Sequence, residues 1–417
     1  MIEPILHLRR ELHQYPELSA KEADTAGRIV RFFTPLAADS IVEGLGGHGV
    51  AVVFGGKVAG PTILLRCELD AVPIQELSQR DYRSTRAGIS HSCGHDGHMA
   101  ILAAVGAELA ASPPERGRVV LLFQPAEETG CGAAAVLHDP RFAAIRPDFA
   151  FALHNLPGVP LGQVIVRRGA FNCASRGMTI RLSGSTAHAA QPESGRSPAR
   201  AMCRLIQGLS LLPPGIAEQG ETAFATVVGA ELGKKAFGTA PGEAEIWCTL
   251  RSESDATMAR LVRFSEQLAA EHAGEDGLTV SIACQDVFAA TINSESAVQR
   301  VREVVAPETL TFAERPFRWS EDFGLITASC EGALIGIGAG EELPALHNPQ
   351  YDFPEALIPP AKALFLRLIQ RCLTGGGSCE AMKNKGPSLP RFPLAVWMAI
   401  ALLVIDDTSQ LSLPGLI

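Results

Sequence analysis

The sequence lacks three features that would each point to a different class of protein. None of its ten cysteines forms a CxxC pair, so we expect free thiols in a reducing compartment. Lys and Arg form no basic stripe and the formal net charge is −9, so nucleic acid is not an expected partner. The first 17 residues lack an apolar stretch followed by a small-residue cleavage site, so no signal peptide is predicted and a cytoplasmic protein is expected.

The composition is that of a folded globular protein. Hydrophobic residues make up 47% of the 417 residues and charged residues 19%. The chain is longer than one ordinary core supports, so two domains are expected, one of them possibly inserted in the other.

One apolar segment lies near the C-terminus, at 392–405 (FPLAVWMAIALLVI), after a polar stretch at 375–385. It is shorter than the roughly 20 residues that a membrane-spanning helix needs. A buried or interfacial helix, or a tail beyond the fold, is therefore favoured over a membrane anchor, and no membrane partner is expected.

The N-terminal region has the pattern of an α/β sheet covered on both faces. Ser19 and Glu22 have the S-x-x-E form of a capping box and predict a helix at 20–34. Continuous apolar runs predict strands at 50–54, 62–65, 119–123 and 149–153, with a helix at 98–111. Open α/β sheets bind ligands at the carboxyl ends of their strands, where this sequence places Glu68, Asp70, Glu127, Glu128 and His154.

A second pattern runs from about 175 to 288 and predicts a self-contained α+β unit. Its predicted strands are 178–182, 223–228 and 244–250. Its predicted helices are one opened by Ser197 as N-cap with Pro198 at the first helical position, and one at about 254–272. We interpret this unit as an insertion, after which a strand at 333–337 returns to the first sheet.

Cys93 and His95 place a thiolate and an imidazole within one short turn before a predicted helix. Together these ligands suit zinc and other borderline divalent metals. A lone Cys-x-His pair is weak evidence, because a free cysteine is often a small buried hydrophobe.

Glu127 and Glu128 strengthen the metal hypothesis. Adjacent acids after a strand point in different directions, so one can hold a metal while the other faces the water. Metal-assisted hydrolysis needs this division, because the cation lowers the pKa of water and a carboxylate removes the proton. His154 and His347 would each alone be more typical of structural histidines, but with Cys93, His95 and Glu128 they supply enough ligands for two metals.

Several ordered motifs resemble peptidase family M20, in its amidohydrolase branch of hippurate hydrolases, N-acyl amino acid deacylases and auxin-conjugate hydrolases. The resemblance runs from about residue 5 to 373. The motifs are LRRELHQYPELSAKEADT near the start, LRCELDAVP at 65–73, SHSCGHDGHMA at 90–100, FQPAEETGCGA at 123–133, STAHAAQPESGRSP at 185–198, SEDFG at 320–324 and LHNPQYDFPE at 346–355.

The resemblance implies a discontinuous catalytic domain, 1–174 and 289–373, interrupted by an inserted lid and dimerisation domain, 175–288. It implies a homodimer or higher homo-oligomer, and it leaves the tail at 374–417 without a counterpart. The implied ligands of two divalent ions, zinc or manganese with cobalt as a further option, are Cys93, His95, Glu128, His154 and His347.

The resemblance also assigns roles to four other residues. Glu127 would be the general base and Asp70 would orient a metal ligand. His188 would stabilise the oxyanion, commonly across a dimer interface, although the residue alone reads as a surface histidine. Arg251 would bind a substrate carboxylate, and an exposed strand-end arginine is an equal alternative.

The sequence departs from the family pattern at four positions. Glu68 stands where this branch usually has Asp, and Ser90 and Ser92 replace the Met and Ala of the common MHACGHD run. These changes should alter packing around the metals without removing them. Gly238 replaces an Asn that helps to hold substrate in relatives, so the substrate preference is left open.

The predicted function is hydrolysis of the amide bond of an N-acyl or N-aroyl amino acid. A dipeptidase or carboxypeptidase on the same scaffold is the alternative. A zinc nucleobase deaminase would need a PCxxC element, which the sequence lacks. A noncatalytic binding protein should have lost Glu127 or a ligand, and none is missing.

Overall fold

The computed structural model describes residues 2–217 and 220–374. The apolar segment at 392–405 and the predicted tail beyond residue 374 lie outside the described residues. Within the described ranges, no helix is both long and apolar enough to cross a membrane.

The described helices and strands alternate along most of the chain. The helices are α1 Ile2–Gln14, α2 Ala23–Phe33, α3 His95–Ala111, α4 Gly132–His138, α5 Ala199–Leu211, α6 Pro213–Ile216, α7 Asp255–Glu275, α8 Glu295–Val304, α9 Gly324–Thr327 and α10 Ile358–Thr374. The strands are β1 Ser40–Leu45, β2 Gly49–Gly55, β3 Val58–Glu68, β4 Arg116–Gln124, β5 Phe149–Pro157, β6 Val164–Val166, β7 Gly169–Asn172, β8 Ala174–Ser183, β9 Ala187–His188, β10 Ala223–Leu232, β11 Thr239–Ala240, β12 Glu243–Ser252, β13 Thr279–Phe288, β14 Thr291–Asn293, β15 Leu310–Phe312 and β16 Glu331–Gly340.

The described chain divides into two compact units. The first contains residues 2–171, 291–315 and 322–374, and the second contains 172–290 and 316–321. Residues 316–321 lie within the range 289–373 that is predicted from the sequence for the catalytic domain. These residues group with the second unit because the Cys173 amide donates to the Phe317 carbonyl, at 3.0 Å, and Arg251 donates to the Arg318 carbonyl, at 2.8 Å.

The first unit is built on an eight-stranded mixed sheet in the order β1-β2-β4-β3-β5-β16-β6-β15. Its central strands are buried on both faces, as the continuous apolar runs predict. One face packs on a core that includes residues of α1, α2, α3, α8 and α10. The α/β fold class is confirmed, and β3 runs parallel to both β4 and β5.

The second unit is a four-stranded antiparallel sheet in the order β10-β12-β8-β13. One face packs against α5 and α7 around a separate apolar core. The strands alternate between buried and partly exposed positions, as expected for a sheet with one covered face. This unit therefore has its own hydrophobic core, and its predicted lid and dimerisation roles stay predictions.

The predicted strands and helices are present, with ends shifted by a few residues. One capping prediction is wrong. The helix predicted at 20–34 begins at Ala23. Glu22 occupies its N-cap position, but no capping box forms, because the side chains of Ser19 and Glu22 bond to Asp70 and to the Ala126 amide. At the start of α5, Ser197 Oγ accepts a hydrogen bond from the Ala199 amide at 3.4 Å and Pro198 has helical angles, φ −76° and ψ −1°, as the Ser-Pro start signal predicts.

Candidate metal centre

Three neighbouring strands and one helix carry the candidate site. Because β3, β4 and β5 are parallel neighbours, their carboxyl ends meet at one edge of the sheet. Asp70 follows β3, and Glu127 and Glu128 follow β4. His154 lies within the carboxyl half of β5, which continues further than predicted, and His95 is the first residue of α3.

The structure brings the five predicted metal ligands together in overlapping groups. Cys93 Sγ lies 3.6 Å from His154 Nε2. Glu128 Oε1 lies 3.7 Å from His95 Nε2 and 3.6 Å from His347 Nε2. The donor atoms of Cys93, His95 and His154 all lie within 4.8 Å of one another, as do those of Cys93, Glu128 and His347.

Glu127, the predicted base, lies beside this cluster. Its Oε2 is 3.8 Å from His95 Nε2, and the residue is only 5% exposed. The donor atoms of His95, Glu127 and Glu128 also lie within 4.8 Å of one another. The two adjacent acids therefore share one neighbourhood, and Glu128 also approaches His347.

The hydrogen bonds of His95 and His154 decide which ring nitrogen points into the cluster. His95 Nδ1 lies 2.8 Å from the Asp70 carbonyl, and His154 Nδ1 lies 3.0 Å from the Asn155 carbonyl. A carbonyl only accepts, so each Nδ1 carries the proton. Each Nε2 therefore offers its lone pair to the cluster.

Asp70 joins the strand ends through its carboxylate. Asp70 Oδ2 accepts hydrogen bonds from the Glu128 amide, at 2.9 Å, and from the Ser19 hydroxyl, at 2.7 Å. Asp70 Oδ1 lies 3.7 Å from His95 Nδ1. Burial is the main cause that raises the pKa of Asp70.

Backbone strain marks two positions of the site. Ala126 (φ 50°) and His347 (φ 63°) adopt the left-handed conformation, which is uncommon for residues other than glycine. The His347 amide donates to the Ser92 carbonyl at 2.9 Å, which ties this exposed histidine to the cysteine turn. Ser90 and Ser92, which replace the Met and Ala of the family pattern, are buried, and their hydroxyl oxygens lie 2.6 Å apart.

A buried network of His98, Glu68, Arg66 and Asp322 lies next to the cluster, and His98 and Asp322 are not among the residues predicted for the site. His98 Nδ1 lies 2.7 Å from Glu68 Oε2, and Glu68 also pairs with Arg66. Arg66 Nη2 lies 2.5 Å from Asp322 Oδ1. His98 is three residues after His95 on one helix face, and that spacing was the available signal for His98.

The donor set fits divalent cations. His95 Nε2 and Glu128 Oε1 are buried and have no hydrogen-bond partner among the described residues. Burial, with the nearby Glu128 and Glu127, raises the pKa of the Cys93 thiol well above its usual range. A cation would reverse this, since it stabilises the thiolate and the carboxylate together.

The other two predicted site residues belong to the second unit. His188 is exposed in β9, and its Nδ1 accepts a hydrogen bond from the Ala190 amide at 3.1 Å. Arg251 in β12 is half-buried and donates to the Arg318 carbonyl, at 2.8 Å, and to the Ser320 hydroxyl, at 3.0 Å. Burial lowers the pKa of Arg251.

Known proteins resemble this chain over most of its length. It is 27% identical to a hippurate hydrolase of Campylobacter jejuni, over 88% of this chain and 96% of that protein. It is 29% identical to an N-acetyl-L-cysteine deacetylase of Bacillus subtilis, over 88% of each. The crystal structure of Bacillus subtilis protein YXEP, described as a dinuclear metal binding peptidase from the M20 family, shares the fold with a TM-score of 0.74, at 24% identity over 89% of this chain and 98% of that one.

The fold, the donor cluster and these relatives together define the class of protein. It is a metal-dependent hydrolase of amide bonds. The sequence model of peptidase family M20/M25/M40 matches residues 64–371, which is most of the chain. The chain therefore belongs to peptidase family M20/M25/M40, as its ordered motifs predicted.

Proposed function

We propose that this protein hydrolyses the amide bond of N-acyl or N-aroyl amino acids. Hippurate and N-acetyl-L-cysteine, the substrates that two relatives are named for, are an N-aroyl and an N-acyl amino acid. The observation that carries the proposal is the approach of Glu127 and Glu128 to the same His95 nitrogen, at 3.8 and 3.7 Å. One carboxylate can then serve as ligand while the other handles protons.

The proposed ligands of two divalent cations are Cys93, His95, Glu128, His154 and His347, whose donor atoms form overlapping groups. When bound, the cations would supply Lewis acidity, which lowers the pKa of water and polarises the scissile carbonyl. Thiolate, imidazole and carboxylate donors suit zinc, and manganese and cobalt are the other ions to test.

Glu127 is the proposed general base. It accepts a proton from the attacking water and passes that proton to the nitrogen of the leaving amine. Its 5% exposure limits competition from bulk water. Asp70 is proposed to orient the site, because its carbonyl fixes the His95 ring and its carboxylate holds the Glu128 amide.

Residues of the second unit complete the proposal. His188 would stabilise the tetrahedral oxyanion and Arg251 would bind the substrate carboxylate. A homodimer is proposed with them, because the family resemblance carries the His188 role across a subunit interface.

Glu127→Ala tests the assignment of the base. The variant should keep its bound metal, measured by atomic emission, while kcat falls by about 10²–10⁴-fold. His95→Ala is the matched control, since it should lose metal as well as turnover. Full activity of metal-loaded Glu127→Ala would overturn the assignment.

A substrate panel tests the reaction class. N-acetyl and N-benzoyl amino acids should be hydrolysed after reconstitution with zinc, manganese or cobalt, and a chelator should abolish the reaction. Faster turnover of free dipeptides than of N-acyl amino acids would replace the proposal with the dipeptidase alternative.

A further inference from the structure

Glu22 lies outside the candidate metal centre in sequence, yet its carboxylate reaches the loop that carries the proposed base. We propose that Glu22 is a positioning residue that fixes the backbone of Ala126 and so aims the Glu127 carboxylate. This inference rests on the proposed role of Glu127. The proposal gives a function to Ser19 and Glu22, whose S-x-x-E pattern forms no capping box on α2.

The contacts of Glu22 are made deep inside the first unit. Its side chain is 0% exposed. Its Oε1 accepts hydrogen bonds from the Ala126 amide, at 2.8 Å, and from the Ala20 amide, at 2.9 Å. A buried carboxylate is costly unless it is hydrogen-bonded, and here one of its two amide donors lies 104 residues further along the chain, in the loop before Glu127.

Ala126 is the residue that needs such support. It is 4% exposed and has φ 50°, a conformation in which the Cβ of an L-residue is crowded. Its carbonyl accepts from the Gly132 amide, at 3.0 Å, at the start of α4. The residue is thus held through its amide by Glu22 and through its carbonyl by α4, immediately before Glu127.

Ser19, from the same segment as Glu22, supports the Glu128 amide through Asp70. Its hydroxyl donates to Asp70 Oδ2, which also accepts from the Glu128 amide, at 2.7 and 2.9 Å. The amides of Ala126 and Glu128 are therefore both bound by carboxylates, one on each side of Glu127. This arrangement restricts the direction in which the Glu127 side chain leaves the backbone.

Glu17 supplies a matched contrast within the same segment. It is also a buried carboxylate, at 6% exposure. Its Oε2 accepts hydrogen bonds from the amide and the hydroxyl of Thr25, in the first turn of α2, at 2.7 and 2.8 Å. Its side-chain bonds therefore support a helix and do not reach the catalytic loop.

The test compares Glu22→Ala, Glu22→Asp and Glu22→Gln with Glu17→Ala. In metal-loaded protein, kcat should fall by about 10–100-fold in Glu22→Ala and Glu22→Asp, with KM and metal content little changed. Glu22→Gln should keep most activity, because its amide oxygen can accept from Ala126. Glu17→Ala should lower the melting temperature and leave kcat near the parent value.

A second substitution tests whether Glu22 acts through the backbone conformation of Ala126. Glycine adopts the left-handed conformation without a Cβ penalty, so Glu22→Ala combined with Ala126→Gly should be more active than Glu22→Ala alone. Parent-like kcat in folded, metal-loaded Glu22→Ala and Glu22→Asp, or no rescue by Ala126→Gly, would overturn the positioning role. Full activity of Glu127→Ala would instead overturn the proposed function, so the two failures are distinguishable.

Discussion

The metal cluster of the first unit and the turn at 233–242 in the second unit are built in opposite ways. Cys93 and His95 are 7% and 0% exposed, and hydrogen bonds fix the ring of His95. In the turn, Phe237 is 93% exposed, and a Cβ added at Gly238 would meet nothing within 4 Å. Residues of the cluster therefore depend on one another, whereas Gly238 at the exposed part of the turn can be substituted without a clash.

Buried charges deepen this contrast. Arg66, Glu68 and Asp322 are almost fully buried and form contiguous ion pairs. Removing one member of such a group leaves an uncompensated charge and typically costs about 3–5 kcal/mol. The side chains beneath the cluster therefore tolerate little change, and the reaction class is more constrained than the substrate preference.

His188 departs from this contrast, because it is exposed and yet is proposed to act in catalysis. If it stabilises the oxyanion, His188→Ala should lower kcat by about 10²–10³-fold. Its side chain supports little else in the described structure, so metal content and melting temperature should stay at parent values. Steady-state kinetics, atomic emission and thermal unfolding measure the three quantities.

His188→Gln is the control, since its amide can still donate a hydrogen bond and should retain part of the activity. Parent-like kcat in His188→Ala would show that this exposed histidine takes no part in the chemistry. Loss of metal from this variant would show that the two regions are not independent.

Most strands of the first unit could be predicted from the sequence, because continuous apolar runs indicate buried strands. The polar residues that end each run indicate where the carboxyl end of the strand lies. Val119 to Phe123 is such a run, and β4 delivers Glu127 and Glu128 just beyond its end. Parallel pairing then brings separate strand ends together, so the candidate cluster could be predicted from the sequence without knowledge of any distance. The carboxyl edge of the sheet thus follows from hydrophobic pattern and chain direction.

The partners of buried polar groups could not be predicted in the same way. Ser19 and Glu22 fit a capping box locally, but tertiary contacts with Asp70 and Ala126 take both side chains away from the helix. His98 gave no sign that it would bond to Glu68, which precedes it by 30 residues. Local spacing predicts only local bonds, and these bonds depend on how distant strands pair.

The pH dependence of stability tests a charged pair buried in the first unit, His13 and Asp96. His13 Nδ1 lies 2.8 Å from Asp96 Oδ2, and its Nε2 lies 3.2 Å from Glu76 Oε1. Burial opposes the charged form, but Asp96 and Glu76 more than offset it and raise the pKa of His13 from 6.5 to about 9. The folded state therefore holds a proton that the unfolded chain releases near pH 6.5.

The resulting stabilisation is fully present below pH 6.5 and is lost as the pH rises through about 9. We expect the parent protein to lose about 3 kcal/mol more unfolding free energy between pH 6 and pH 10 than His13→Asn does. Urea unfolding at both pH values, at fixed metal concentration, measures the difference. An equal loss in both proteins would contradict the charged His13–Asp96 pair.

Gly238 offers the smallest and most selective perturbation. Its position in the exposed turn has room for a side chain, and its φ lies outside the left-handed region, so Gly238→Asn should change the unfolding free energy by no more than about 0.5 kcal/mol. One new hydrogen bond to substrate contributes about 1 kcal/mol, which is about fivefold in kcat/KM. The order of preference among N-acyl amino acids should therefore shift while metal content stays constant. An unchanged preference would remove the turn from substrate recognition, and a change in metal content would show that the turn and the buried cluster are coupled after all.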